Sequence, residues 1–389
     1  MKYKLSDICD VKVGFPFKSE LFNENGDGIR LVRGMNVSCA GFRWGNQTRW
    51  WNYYTKDLEK YLLKEEDVLI AMDGNVSTNF VQVTKDDLPL LLVQRVARLR
   101  AKNVPQKIVW YIVKSHEFGA YLDSVKTGTT ISHISAKQIG DYEIELPDYL
   151  TQEKISSILS ILDDKIRLNN KINNNLMQQA KTIFEAEIVN RAELPNGWKK
   201  SNLASIANYL NGLAMQNYRP TDEDQGFPVL KIKELRQGAC DADSERCSSY
   251  IKSNYIVNDG DVIFSWSGSL LVDFWCGGIC GLNQHLFKVT STQYAPWFFY
   301  SWTNYHLAKF AAIASAKATT MGHIKRSDIE AAEVIIPSPA DYERIGALIQ
   351  PLYDLCVALR LENRKLAATR DSLLPRLLSG EIDISEAII

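Results

Sequence analysis

Residues 128–147 read GTTISHISAKQIGDYEIELP, and residues 318–337 read ATTMGHIKRSDIEAAEVIIP. His133 and His323 stand 190 positions apart, as do Pro147 and Pro337. An element written twice at that separation points to duplication of half the chain, not to a solenoid of short repeats. The match extends outward on both sides. LSDICDVKVGFPF (5–17) matches LASIANYLNGLAM (203–215), which sets Gly14 against Gly212. GIRLVRGMN (28–36) aligns with GFPVLKIKE (226–234), EEDVLIAMDG (65–74) with DGDVIFSWSG (259–268), and Gln94 with Gln284. The offset drifts from 198 through 194 to 190, as small loop insertions would produce.

Each half has two parts. The first is strand-like, with short β-branched and aromatic runs such as IRLVRGM and DVLIAM broken by Gly, Asn and Asp turns. The second is helical. From Thr151 to Asn190 there is no Gly or Pro, and Ile155, Ile158, Leu162, Ile172, Leu176 and Ile183 recur at steps fitting alternate threes and fours. Lys165 and Asn169 fall in the same register. The matching C-terminal stretch carries Ile345, Leu348, Leu352, Leu355, Leu359, Leu366 and Leu373, with Glu362 and Thr369 in step. Such spacing over about four heptads predicts a coiled-coil seam. At about 1.5 Å per residue each helix extends nearly 60 Å. Helices of that length outrun one 150-residue domain, so pairing with each other is favoured over packing each on its own head. Polar Lys165, Asn169 and Glu362 would then be buried and fix the register. The predicted fold class is α+β: two similar mixed α/β domains separated by two long helices that form an antiparallel coiled coil, with a pseudo-two-fold internal repeat. The predicted boundaries are a first domain at 1–150, a central helix at 151–193, a second domain at 194–340, a C-terminal helix at 341–380 and a tail at 381–389.

Composition limits the function. The 389 residues are 46% hydrophobic, 23% charged and 10% aromatic, the balance of a soluble globular protein. The opening MKYKLSDICD has no apolar core, and runs such as LPLLLV (88–93) are too short to span a bilayer. A cytoplasmic protein without a membrane partner is expected. A net charge of −1 argues against an indiscriminate DNA coat, while leaving room for a local basic face. The seven cysteines read as free thiols. Cys276 and Cys280 have zinc-knuckle spacing, but Cys240 and Cys247 are too far apart to complete a four-thiolate set with His285 nearby, so no metal is expected.

Two similar heads at fixed separation suit a repetitive linear target, and duplex DNA is one, with half-sites a turn of about 34 Å apart facing the same side. The frame matches between halves, while GFRWGNQTRWWNYY (41–54) has no good counterpart in GACDADSERCSSY (238–250). Divergence in readers and likeness in frame is the pattern two different half-sites would leave. With the terminal RDSLLPRLLSGEI, the paired GTTISHIS and ATTMGHIK elements and the paired DVLIAMDG and DVIFSWSG strands, the whole chain resembles a specificity subunit of a type I restriction-modification system. That resemblance implies two target-recognition domains, each reading half of a split double-stranded DNA target, with the helices setting the gap. It implies no catalysis in this chain. Partner modification subunits, two of them, would dock on the helices and use S-adenosylmethionine to methylate adenine N6. Two restriction or translocase subunits would use ATP with Mg. The sequence agrees in lacking both an Asn/Asp-Pro-Pro-aromatic tetrapeptide and a GxxxxGK[ST] loop. PDYLTQEK (147–154) faintly resembles a nuclease motif and reads better as a helix start. Alternatives are a specificity subunit of a methylation-only system and a coiled-coil adaptor that never touches DNA.

Candidate DNA contacts fall in two groups. Lys126, Thr127, Thr129 and Thr130, and in the second half Lys317, Thr319, Thr320 and Lys325, offer ammonium and hydroxyl donors suited to phosphate oxygens. The same hydroxyls also suit turns and caps, and His133 and His323 suit packing better than catalysis. Arg43, Asn46, Gln47 and Arg49 lie among aromatics and have the donors that read guanine and adenine in the major groove. The competing reading is a loop pinned to the core by its tryptophans.

Overall fold

The structure, a computed structural model, describes residues 2–39, 41–128, 132–316, 322–384 and 386. The chain forms two compact units, Met1–Asp164 with Ala367–Ile389, and Lys165–Leu366. The division falls inside the long helices Tyr149–Phe184 and Pro339–Leu378, so each unit takes one half's head and a portion of both helices.

In the first unit a four-stranded antiparallel sheet runs in the order Cys9–Val13, Val96–Ala101, Val68–Ala71, Phe80–Gln82. A smaller sheet places Ile29–Val32 between the edge pair Trp50–Trp51 and the parallel strand Leu90–Leu92. Val68 to Ala71 are all buried, the signature of a central strand covered on both faces. Lys2–Lys4 pairs with Glu143–Glu145 and joins the start of the head to its exit. The second unit repeats this plan. Its sheet runs Asn208–Asn211, Leu286–Thr290, Val262–Ser265, Leu271–Phe274, and its smaller sheet places Phe227–Leu230 between Arg246–Cys247 and the parallel Cys280–Leu282. Trp50–Trp51 and Arg246–Cys247 are therefore the same edge strand, although their sequences share nothing.

The repeated glycines have one physical cause. A Cβ on Gly14 would collide with the Val93 backbone, and one on Gly212 with the carbonyls of Leu282 and Asn283. At both places two backbones touch, which only glycine permits. The heads are less purely strand-like than their sequence reads. Helices Gln106–Lys114 and His116–Val125 pack in the first. In the second, Pro296–Ala316 buries Trp297, Phe298, Phe299, Tyr300 and Trp302. That helix is apolar nearly all round, so it carries no polar stripe by which its period could be read.

The long helices run antiparallel within each unit. In the first, Ile155 and Leu159 share a core with Leu374 and Leu377. In the second, Asn169 Nδ2 donates to Glu362 Oε2 (2.7 Å) and Asn363 Oδ1 (2.9 Å), while Ala180 and Phe184 share a core with Ile345, Ile349 and Tyr353. The seam follows the heptad line that the sequence suggested only in part: Ile155 and Ile345 are buried, but Ile172 is 43% exposed, Leu348 47% and Leu355 44%. The buried line also runs through Asn169, Asn173, Ala180 and Phe184, and through Ile349, Tyr353 and Cys356. Of the three polar residues expected to be buried, only Asn169 is; Lys165 and Glu362 are about half exposed. The reason is that each helix also lies on its unit's head, which draws the buried face round. Phe184 packs edge-on to Trp302 at 5.1 Å, Tyr353 lies 5.3 Å from Phe274, and Arg360 holds Asp273 through two bonds of 2.8 Å. Pairing and head packing thus share the apolar residues, and the single seam is an idealisation.

In the first unit the junction of helices and head carries a buried charge cluster. Asp163 Oδ1 accepts from Arg370 Nη1 at 2.5 Å and from Lys114 Nζ at 3.3 Å. Burial pushes the Asp163 carboxyl up, but Lys114 and Arg370 outweigh it and leave it below the ordinary carboxylate range. A lowered folded value means that the contribution is present above the unfolded value of about 4 and is lost as pH falls through the folded one. Asp163→Asn should cost roughly 2 kcal/mol at neutral pH, less than a fully buried pair because the site is partly open. The deficit should shrink below about pH 4. Hydrogen exchange of the Ile108–Val113 amides at pH 7 and pH 3 measures both.

Candidate nucleic-acid interface

The repeated element works as a stitch. In the first unit Gly74 N–H donates to the Ser132 carbonyl (2.9 Å) and Ile134 N–H to the Met72 carbonyl (2.9 Å). In the second, Gly268 N–H donates to Gly322 (2.9 Å) and Ile324 N–H to Trp266 (3.1 Å). Gly74 and Gly268 have φ of +79° and +63°, so each hairpin loop turns where a side chain would be strained. His133 pairs with Asp73, and His323 with Ser267, as isolated antiparallel bridges. A second loop joins each cluster, the tight turn of Gln94–Arg95 or Gln284–His285. It is held by Gln94 N–H to the Phe15 carbonyl (2.9 Å) and by Gln284 N–H to Leu213 (2.8 Å).

Side chains at this shared spot differ. In the first unit His133 Nδ1 lies 2.7 Å from Asp73 Oδ1, Arg95 Nη1 lies 3.3 and 3.4 Å from the two ring nitrogens, and Arg95 Nε is 3.7 Å from Asp73 Oδ2. In the second unit Ser267 Oγ lies 3.2 Å from His285 Nδ1, and the Trp266 ring sits 6.0 Å from His285 and 6.2 Å from His323. An aspartate, an arginine and a histidine in the first unit thus correspond to a serine, two histidines and a tryptophan in the second.

The sequence candidates are placed as follows. The Arg43, Asn46 and Gln47 side chains are exposed and make no hydrogen bond or ion pair among the described residues. Arg49 is committed to the loop itself: Nη1 donates to the Asn46 and Thr48 carbonyls (2.9 and 2.8 Å), and Nη2 meets Glu24 Oε1 at 2.6 Å. The aromatics do pin this loop, with Phe42 and Trp44 stacked at 5.1 Å against the core and Arg30 lying 4.9 Å over Trp44. Lys126 is paired with Asp123 at 2.8 Å, and Thr127 exchanges backbone bonds with His133 at 2.9 and 2.7 Å. Thr129, Thr130, Lys317, Thr319 and Thr320 lie outside the described residues. Exposed Lys325 lines a cavity of about 1030 Å³ in the second unit, with Asn211, Trp266, Gln293, His323 and Arg326. Among the described residues no Asp or Glu lines that cavity. Asp73, Arg95, Trp266, His285 and Arg326 lie at these loops and were not among the sequence candidates; the alignment of Gln94 with Gln284 was the available pointer to the turn.

Two further stretches singled out in the sequence are placed as follows. Asp148 caps the first long helix, accepting from Thr151 N–H (3.1 Å) and Thr151 Oγ1 (2.6 Å), so PDYLTQEK is a helix start. Among the described residues no three His, Cys, Asp or Glu side chains are placed to hold a metal ion. Cys247 and Cys280 are buried strand residues, and burial pushes the Cys276 thiol up to about 11.

Two units with one backbone plan, one stitched loop and two different sets of side chains around it define a duplicated recognition protein. The chain belongs to the family described as the type I restriction modification DNA specificity domain, whose model matches residues 1–178 and again 195–368. The general role of that family is recognition of a DNA target. A Methanocaldococcus jannaschii protein, the type I restriction enzyme MjaIX specificity subunit, is 25% identical over 345 residues, covering 82% of this chain and 78% of the relative. The Escherichia coli EcoAI specificity subunit is 31% identical over 176 residues, covering 43% of this chain and 28% of the relative. The crystal structure of a type I restriction-modification S subunit from M. genitalium matches 97% of this chain and 96% of that one with a TM-score of 0.54 at 14% identity, a likeness of fold. No helix among the described residues is long and apolar enough to cross a membrane.

Arg49 and Arg43 should separate in stability. Arg49→Ala removes an ion pair and two carbonyl contacts from a side chain only 18% exposed, and should cost about 1 kcal/mol. Arg43→Ala should leave the thermal midpoint unchanged, which differential scanning calorimetry of both variants checks.

Proposed function

We propose that this chain is the DNA-specificity subunit of a type I restriction-modification complex, and that each unit reads one half of a bipartite double-stranded target. The observation that carries this reading is the unequal conservation between halves. Sheet order, stitch and glycine contacts repeat, while the side chains at 41–54 against 238–250, and around His133 against His323, do not. A protein reading one sequence twice would keep its readers alike. An adaptor that ignores DNA would have no use for two diverged heads on a matched frame.

In this reading Arg43, Asn46 and Gln47 reach base edges in the first unit, since no described residue occupies their side chains, and Arg49 shapes the loop that presents them. Lys325 and Arg326 receive backbone phosphates in the acid-free cavity of the second unit. The threonines and lysines of the paired loops, Lys126, Thr127, Thr129, Thr130, Lys317, Thr319 and Thr320, complete the phosphate contacts. Modification subunits, two of them, dock on the long helices and bring S-adenosylmethionine for transfer to adenine N6. Restriction subunits bring ATP with Mg. This chain orients DNA and performs no bond chemistry.

Single-molecule sequencing of N6-methyladenine, in cells expressing this chain with the methyltransferase encoded beside it, tests the reading. Methylation should be confined to one split motif, and exchanging residues 41–54 for those of another such chain should alter one half of it only. Methylation that is the same with and without this chain refutes the proposal. For Lys325→Ala, DNA affinity should fall uniformly across sequences, and the slope of log K against log salt should decrease by about 1. Fluorescence anisotropy over a salt series measures that slope.

A further inference from the structure

We infer that Arg95, at the tip of the Gln94–Arg95 turn, is a base-reading and hence specificity-determining residue of the first unit. This inference rests on the specificity reading above and goes beyond it by locating one reader in the frame. Three features converge on this residue.

Its backbone is unusual. Arg95 has φ of +77°, and the other non-glycine residue with a positive φ among those described is Glu66. A left-handed non-glycine residue costs of order 1 kcal/mol or more and persists where the surroundings over-determine it. Here they do: Arg95's carbonyl accepts from Met72 N–H (2.9 Å), and the preceding residue is bonded to Phe15. Folding alone would favour Gly or Asn at this place.

Its side chain is aimed outward and still ordered. It is 56% exposed, with Asp73 Oδ2 3.7 Å from Nε and the His133 ring nitrogens 3.3 and 3.4 Å from Nη1. Arginine has five N–H donors in a fork, so these contacts leave Nη2 to donate to guanine O6 or N7. The neighbouring Gln94 side chain is exposed and bonds to no protein group among the described residues.

Its position diverges inside a conserved setting. Gln94 and Gln284, Gly74 and Gly268, and His133 and His323 match, and the turn-to-strand bonds repeat. Among the residues that change are Arg95 to His285, Asp73 to Ser267 and Met72 to Trp266, and the first two change together: the arginine has a carboxylate partner, the histidine a hydroxyl at 3.2 Å. A purely structural turn would have no reason to vary its exposed residue along with that residue's support. Two readers of different bases would.

The test uses the full chain with its modification partner and maps N6-methyladenine by single-molecule sequencing. Arg95→Gly suits the positive φ and should fold, with thermal melting as the control. The expected result is relaxation of one base pair in one half of the motif. Discrimination there should fall about 10- to 100-fold while the other half is untouched. The double variant Asp73→Ser with Arg95→His should change the preference at that same base pair. An unchanged motif in both variants overturns the inference. So does a uniform loss of methylation at an unchanged motif with normal melting, which would make Arg95 a phosphate contact. Methylation that persists when this chain is absent overturns the parent reading as well, and is distinguished by that deletion control.

Discussion

The constraint on which the structure depends is the need of an irregular loop to satisfy its backbone away from a sheet. The Asp73–Gly74 and Ser267–Gly268 turns leave the edge of a buried strand, and their N–H and carbonyl groups need partners. The repeated Thr-Thr-x-x-His segment supplies them, through Gly74 to Ser132 and Ile134 to Met72, and through the corresponding pair in the other unit. The bonds are backbone to backbone. They therefore fix where the loop sits without dictating which side chains it carries, and this is why Asp73 could become Ser267 while the geometry stayed.

The same logic governs the close approach at Gly14 and Gly212. A side chain there would strike the neighbouring turn, so the turn bearing Arg95 or His285 is positioned by an atom that is absent. Each candidate surface is thus built of loops whose positions are set by sheets, glycines and main-chain bonds. In the proposed reading, function rests on the side chains that these devices leave uncommitted. The arrangement also separates Arg49 and Arg43, six positions apart and chemically identical: one closes its loop onto Glu24, while the side chain of the other has no partner among the described residues.

Much of this was legible in the sequence. The duplication was readable because glycines and turn residues tolerate little change where backbones touch. Long helices declared themselves by forty residues without Gly or Pro. The seam was misread because Ile172, Leu348 and Leu355 keep an apolar spacing without being buried, while Asn169 and Asn173 are buried without being apolar. The helices serve both each other and the heads, and a single period cannot encode two faces. The equivalence of Trp50–Trp51 with Arg246–Cys247 was hidden for a different reason, since an edge strand of two residues is specified by pairing partners and not by its own side chains. Arg95 was overlooked because a turn's φ is not written in a single residue type.

A final consequence follows from the main-chain character of the stitch. When the bonds that hold a loop do not involve its side chains, most substitutions on that loop are nearly neutral for folding, and selection sees them chiefly through the DNA they choose. Such a scaffold separates the evolution of what is recognised from the evolution of being folded. If each of two such scaffolds reads its own half of the target, as proposed, and each is free to drift or to be exchanged alone, the repertoire of targets grows as the product of the two sets and not as their sum.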